Sequence, residues 1–177
     1  MTIVETARSF EEHVFIPDAE TTRSYRNALG AFPTGVTVVT ANTDAGPIGM
    51  TVNSFASVSL DPPLVLWSPA KSSSRHALFT SAGHFSIHVL SAEQTALSSR
   101  FTRGGQGFAD LGWEHNAEGA RIIPGALARF ECEQQSVYDA GDTSLVIGLV
   151  LRVGLWDVEP LGFGRGGVGG VRRPAYR

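Results

Sequence analysis

The stretch GMTVNSFASVSLDPPLVL at residues 49–66 decides the fold. Its first part, GMTVNSFASVSL (49–60), mixes β-branched, apolar and small polar residues, which predicts a strand. Asp61-Pro62-Pro63 closes that strand, because proline fixes φ and carries no amide donor. LVLWS (64–68) is a short continuous apolar run, the pattern of a strand buried on both faces. Upstream, GVTVVTAN (35–42) alternates as a further strand, with Asp44, Gly46 and Pro47 as turn residues between the two. Downstream, HFSIHVL (84–90) is a strand. LARFECEQQSVYDA (127–140) and TSLVIGLVLRVGLWDVE (143–159) are two long strands joined in a hairpin around Ala140-Gly141-Asp142.

Three short helices are expected between these strands. One starts at Thr21 or Thr22 as N-cap, since Tyr25, Leu29 and Phe32 recur at spacings of three and four, and it stops at Pro33 and Gly35. SSSRHALFTSAG (72–83) reads as a capped helix ending at a glycine. SAEQTALSSRF (91–101) opens with serine and glutamate in its first turn. Residues 102–125 are irregular, with Trp113 as an internal anchor. About six strands with few helices predict a mainly β fold, an antiparallel Greek-key-like barrel with helical inserts, because closure removes exposed edges. Residues 1–20 read as an N-terminal extension, 21–161 as the domain, and 162–177 as a Gly/Arg-rich tail.

Composition narrows the function classes. The chain has 177 residues, 42% of them hydrophobic and 18% charged, which excludes a disordered segment. Fourteen cations against 17 acids leave a net charge of −3, so no nucleic-acid footprint exists. Lys71 is the only lysine. One cysteine, Cys132, excludes a disulfide-stapled scaffold and reads as a small buried residue. No segment has the length of a membrane span, and MTIVETARSFEEH lacks the apolar run of a signal peptide. A cytoplasmic location is expected.

Several motifs fail on context. Gly162, Gly164 and Gly167 match G-x-G-x-x-G, yet VGGVRRP cannot supply the helix that fingerprint needs. His84 and His88 lie four apart on a strand, about 13 Å from each other, too far to share an ion. No G-x-S-x-G is present. Three polar clusters remain. Pro47, Ile48, Gly49, Met50, Thr51, Asn53 and Ser54 combine donors and acceptors with a glycine at which a flat ligand can approach backbone. The same residues also suit a half-exposed strand with a turn. Ser68, Pro69, Ala70, Lys71, Ser72, Ser74 and Arg75 bring hydroxyls, an ammonium and a guanidinium to a helix start, which suits phosphate. An ordinary serine cap is the alternative. Arg100 and Phe101 end the next helix, where a cation also has a purely structural use. Together the clusters describe a site for a planar ring carrying a phosphate.

The order of these clusters resembles the short-chain flavin reductases, reductase components of two-component flavin-dependent monooxygenases. The resemblance rests on YRNALGAFPTGVTVVTA (25–41), GMTVNSFASVSLDPPLVL (49–66), FSIHVL with SAEQTALSSRF (85–101), and AGD (140–142). It implies a split β-barrel of the FMN-binding type, a homodimer, FMN or FAD as flavin, and NADH or NADPH as hydride donor. It also implies a partner monooxygenase that receives reduced flavin. Residues 47–51, 53 and 54 would line the ring, and 68–70 the ribityl chain. Lys71, Ser72, Ser74 and Arg75 would hold phosphate, with Arg100 and Phe101 closing the site. No residue is expected to act as acid or base. The chain departs from the family on the nicotinamide side. Gly141-Asp142-Thr143 stands where Gly-Asp-His is usual, and Phe163 to Val168 keep Arg165 but lose two tyrosines. These departures raise an alternative, a flavin-binding split barrel that has lost NAD(P)H-dependent reduction.

Overall fold

A computed structural model of the chain describes residues 12–102, 104, 107–109 and 111–171. Helix α1 (Thr22–Leu29) precedes β1 (Thr34–Gly35), β2 (Thr37–Thr43) and β3 (Gly46–Val52). Gly46 takes φ +95° just after the Asp44-Ala45 turn, a conformation glycine adopts without a steric penalty. β4 (Ala56–Leu60) and β5 (Pro63–Trp67) form the next hairpin. After α2 (His76–Thr80) come β6 (His84–Val89), a 3-10 turn at Ala92–Gln94 and α3 (Thr95–Arg100). The small pair β7 (Glu114–His115) and β8 (Arg121–Ile122) leads to the long hairpin β9 (Ala128–Ala140) and β10 (Thr143–Leu155). Gly141 takes φ +65° in its two-residue turn. Finally β11 (Leu161–Gly164) and β12 (Gly167–Gly170) pair with β1 as a three-stranded sheet.

Seven strands form one antiparallel sheet in the order β3-β2-β6-β9-β10-β5-β4. The expected single strand over 49–60 is therefore two strands, on opposite edges of that sheet. Strands lie about 4.8 Å apart, so a flat sheet would separate its edges by roughly 29 Å. The link from Val52 to Ala56 spans at most about 14 Å. The sheet must curl until its edges meet, and that curl is the barrel.

Other expectations need correction. β5 is not buried on both faces: Val65 and Trp67 point inward while Leu64 and Leu66 are only half-buried. Its outward face is therefore only partly covered. The helix expected over 72–83 is only the five residues of α2; Arg75, not a serine, occupies its N-cap, and it stops before Gly83. At α1 the Thr21 side chain makes no cap bond. Instead the Asp18 carboxylate accepts the amides of Glu20 and Thr21. The segment 161–170, read only as glycine-rich, forms the β11–β12 hairpin.

Alternation sets two cores. Inside the barrel, Val39, Ile48, Met50, Trp67, Phe85 and Val146 pack together. Trp67 meets Phe79 edge-on at 5.1 Å. Gly148 is required there, since a Cβ would sit 2.6 Å from the Phe85 ring. Outside, Val38, Leu90, Leu97, Phe101 and Ile123 form a second core under residues 92–123. Cys132 is buried in the first, and burial pushes its thiol up to about 12.

His88 is sealed in the outer layer with no exposure. Its Nδ1 lies 3.1 Å from the Val38 carbonyl, and its Nε2 lies 3.1 Å from the Ile123 amide. The amide can only donate, so the ring is neutral, protonated on Nδ1 toward Val38. Burial lowers its pKa from 6.5 to about 4. The unfolded chain therefore binds the extra proton between these values, and stability falls as pH drops through that window. Urea denaturation should show wild type losing about 3 kcal/mol more than His88→Gln between pH 7 and pH 4. Equal losses would remove His88 from the acid response.

Candidate functional site

Closure of the barrel creates a seam at Asn53-Ser54-Phe55. The Ser54 hydroxyl accepts the Ser68 amide at 2.9 Å and donates to the Ser68 carbonyl at 3.3 Å. These bonds pin the seam to the end of β5. Asn53 stands exposed beside it, at the junction of two grooves. The larger, about 670 Å³, lies between α1 and the β11–β12 turn and is lined by Leu29, Phe32, Thr34, Phe163 and Arg165 among others. The smaller, about 320 Å³, runs between β3 and α3 and shares Asn53 and Phe163 with the first. Thr51 lines the smaller groove, but its hydroxyl already donates to the Ser98 carbonyl at 2.7 Å. The buried Thr34 hydroxyl has no hydrogen-bond partner among the described residues. Apolar walls with a few unengaged polar groups are the usual makeup of a small-molecule site.

The serine-rich bend is organised differently from the sequence expectation. The Lys71 ammonium donates to Asp139 and to the Gly141 carbonyl, both at 2.6 Å. Its amide donates to the Asp142 carbonyl at 2.9 Å, and Ala70 bridges Thr143. The Ser144 amide returns a bond to the Pro69 carbonyl at 3.1 Å. Lys71 is thus a latch between the bend and the β9–β10 turn. Asp142 and Thr143 belong to that latch and line neither groove around Asn53. Thr143 closes its own turn by donating to the Ala140 carbonyl at 3.1 Å. Ser72 and Ser74 are exposed on the bend.

Arg75 points inward. Its guanidinium donates to the carbonyls of Gly49 (2.7 Å), Phe101 (2.8 Å) and Thr102 (3.0 Å), tying β3 to the end of α3. Burial lowers its pKa from the usual arginine value. At Gly49 an added Cβ would run into the Phe101 ring, which packs over that strand position. Phe101 is fully buried, edge-on to Phe108 at 5.0 Å. Arg100 donates to the Ala109 carbonyl at 2.8 Å. Ile48 and Met50 point into the barrel core. Pro47 borders a separate groove of about 360 Å³ beside Trp113, whose ring carries the Arg121 guanidinium 3.1 Å from its centre.

The fold therefore brings Thr51, Asn53, Phe163 and Arg165 around two joined grooves. It sets Pro69 to Lys71 with Asp142 and Thr143 in a latch, and commits Arg75 and Phe101 to packing. Sequence reasoning missed the wall supplied by α1. None of its residues is buried, and Leu29 at its end and Phe32 just beyond it face solvent at 57% and 75% exposure. An apolar stripe on a helix with nothing to cover it was the available signal.

Comparison with known proteins places this geometry. The family described as flavin reductase like domain matches residues 29–172. The chain is 63% identical over 173 residues to the FMN reductase (NADH) SmoA of Agrobacterium fabrum, covering 98% of this chain and 99% of that protein. It is 45% identical to the reductase component of a flavin-dependent trigonelline monooxygenase of Acinetobacter baylyi, over 81% of this chain but only 47% of that one. Among solved structures, an NADH:FAD oxidoreductase of Streptomyces globisporus superimposes with a TM-score of 0.82 at 35% identity, covering 95% of this chain and 96% of the other. The split barrel expected from sequence is the fold these relatives share, and the chain belongs to the flavin reductase family.

Proposed function

We propose that the chain is an NADH-dependent flavin reductase, with FMN as its flavin, that supplies reduced flavin to a separate monooxygenase. The observation that carries this reading is the exposed Asn53, set where two apolar grooves meet over a shared Phe163. The choice of FMN and NADH follows the 63% identical relative. Flavin, when bound, supplies the hydride-accepting ring, and the protein's task is alignment of donor and acceptor. The Asn53 amide offers both a donor and an acceptor to the polar edge of such a ring. Phe163 offers an apolar face to each groove. The backbone of 68–70 and the hydroxyls of Ser72 and Ser74 are the groups for the ribityl phosphate, because Lys71 and Arg75 are already engaged. No proton relay is required, and the departure at Thr143 lies in the latch rather than in either groove.

Absorbance at 340 nm should fall with NADH and catalytic FMN, well above the enzyme-free rate. Failure with every flavin and pyridine nucleotide pairing would exclude reduction. Asn53→Ala should weaken FMN binding about tenfold, the worth of one or two lost hydrogen bonds. Its melting temperature should hold, since Asn53 is exposed. Fluorescence quenching measures the first and calorimetry the second.

A homodimer belongs to the same reading. The strands β4 and β10 leave Leu60 exposed at 95%, Val153 at 58% and Leu155 at 77%. Apolar area of this kind marks an interface. Sedimentation should give twice the chain mass, and Leu60→Glu should shift the species toward monomer. A wild-type monomer at micromolar concentration would exclude this arrangement.

A further inference from the structure

We infer that Arg26 of α1 is a recognition residue for the hydride donor, forming with Arg165 the anion-binding pair that takes the pyrophosphate of the pyridine dinucleotide. The inference deepens the reductase reading and rests on it. Arg26 and Arg165 both line the larger groove, from opposite walls. Among the described residues no carboxylate lines that groove, although the chain as a whole carries −3. Two guanidiniums facing one cavity repel each other unless an anion lies between them. Neither makes a side-chain hydrogen bond or ion pair with another described residue, in contrast to Lys71, Arg75, Arg100 and Arg152, which all do.

The two walls are mechanically joined. The Arg165 amide donates to the Gly30 carbonyl at 2.7 Å, fastening the β11–β12 turn to the end of α1. Arg165 is also the one non-glycine described with a left-handed backbone, φ +49°. A two-residue hairpin turn calls for positive φ at both of its residues, Arg165 and Gly166 (φ +78°), so the turn fixes where the Arg165 side chain leaves the backbone. The rest of the groove matches a dinucleotide. Leu29, Phe32 and Phe163 give apolar surface for rings, and a volume of about 670 Å³ lies in the range of ligand clefts. Planar, bidentate guanidinium is the side chain suited to phosphate oxygens. Arg26 also sits in the last turn of its helix, where a cation is favourable for structural reasons alone. The experiment must separate the two roles.

Steady-state oxidation of NADH at saturating FMN is compared with oxidation of 1-benzyl-1,4-dihydronicotinamide, a hydride donor without phosphate. Arg26→Gln should raise KM for NADH about tenfold with little change in kcat, the loss of one charge-assisted contact. The phosphate-free donor should react with wild type and variant within about twofold of each other. Arg26→Lys should recover part of the NADH affinity, because charge is kept and the planar fork is lost. Without flavin, fluorescence titration with NADH should show the same weakening, while FMN affinity should be the same in both proteins. An unchanged KM for NADH, or equal losses with both donors, would overturn the inference and leave Arg26 a structural residue. A wild type inert to both donors would overturn the reductase reading itself, and the inference with it.

Discussion

The three residues between Val52 and Ala56 impose the shape on which everything else depends. They join strands that sit at opposite ends of a seven-stranded sheet, and no chain of that length crosses a flat one. Hydrogen bonding between neighbours sets the order of the strands, but the short link sets their curvature. Curvature in turn decides which side chains are inside. With the sheet rolled, Ile48, Met50, Val65 and Trp67 converge on one interior, and Thr51 and Asn53 are left at the outer lip. The seam is where two strand edges approach without pairing, so it is where backbone and amide groups remain available to something else.

Cations of the chain divide into two groups by what they touch. Arg75 satisfies three carbonyls at the junction of β3 and α3, and charge-assisted bonds to partly buried carbonyls are worth about 1.5–3 kcal/mol each. Removing Arg75 would take one donor from each of those acceptors, although the Phe101 carbonyl keeps the Thr51 amide at 3.2 Å, so its absence would be felt as lost structure. Lys71 holds an exposed pair with Asp139, which is 81% exposed. Such a pair adds roughly 0–1 kcal/mol, and its value lies in registering the bend against the β9–β10 turn. Arg26 and Arg165 do neither job. They face a cavity, and that difference separates scaffold from site more sharply than residue type does.

Much of the fold was legible because it is local. Alternation gave β2, β6, β9 and β10, and Gly141 in its left-handed turn marked the long hairpin. The break at Asn53 was not legible, because periodicity reports which face a residue takes and not which strand lies beside it. A strand that leaves one sheet edge and joins the other keeps its alternation throughout. The same limit explains β5, whose apolar run suggested burial on both faces while its outer face is only half-buried. Asn53, Phe163 and Arg165 had been singled out from the sequence, and the fold sets them around the two grooves. The carbonyl partners of Lys71 and Arg75 were not legible, since a cation beside serines reads alike whether it meets phosphate or a carbonyl. The wall formed by α1 required the tertiary arrangement.

The location of the titratable groups fits hydride chemistry at this seam. Glu131 is the one fully buried carboxylate described, and it is clasped by Arg129 at 2.9 Å and Arg152 at 2.8 Å on β9 and β10. His88 is held neutral in the outer core. Neither lines either groove beside Asn53. A reaction that needed a proton moved in its slow step would place such a group against the substrate, within about 3 Å. Hydride transfer between two rings asks instead for apolar surfaces at fixed separation, polar contacts at their rims and an anchor for the charged tail. The seam and α1 supply those three things from different elements, and the bond between Arg165 and Gly30 keeps them in register.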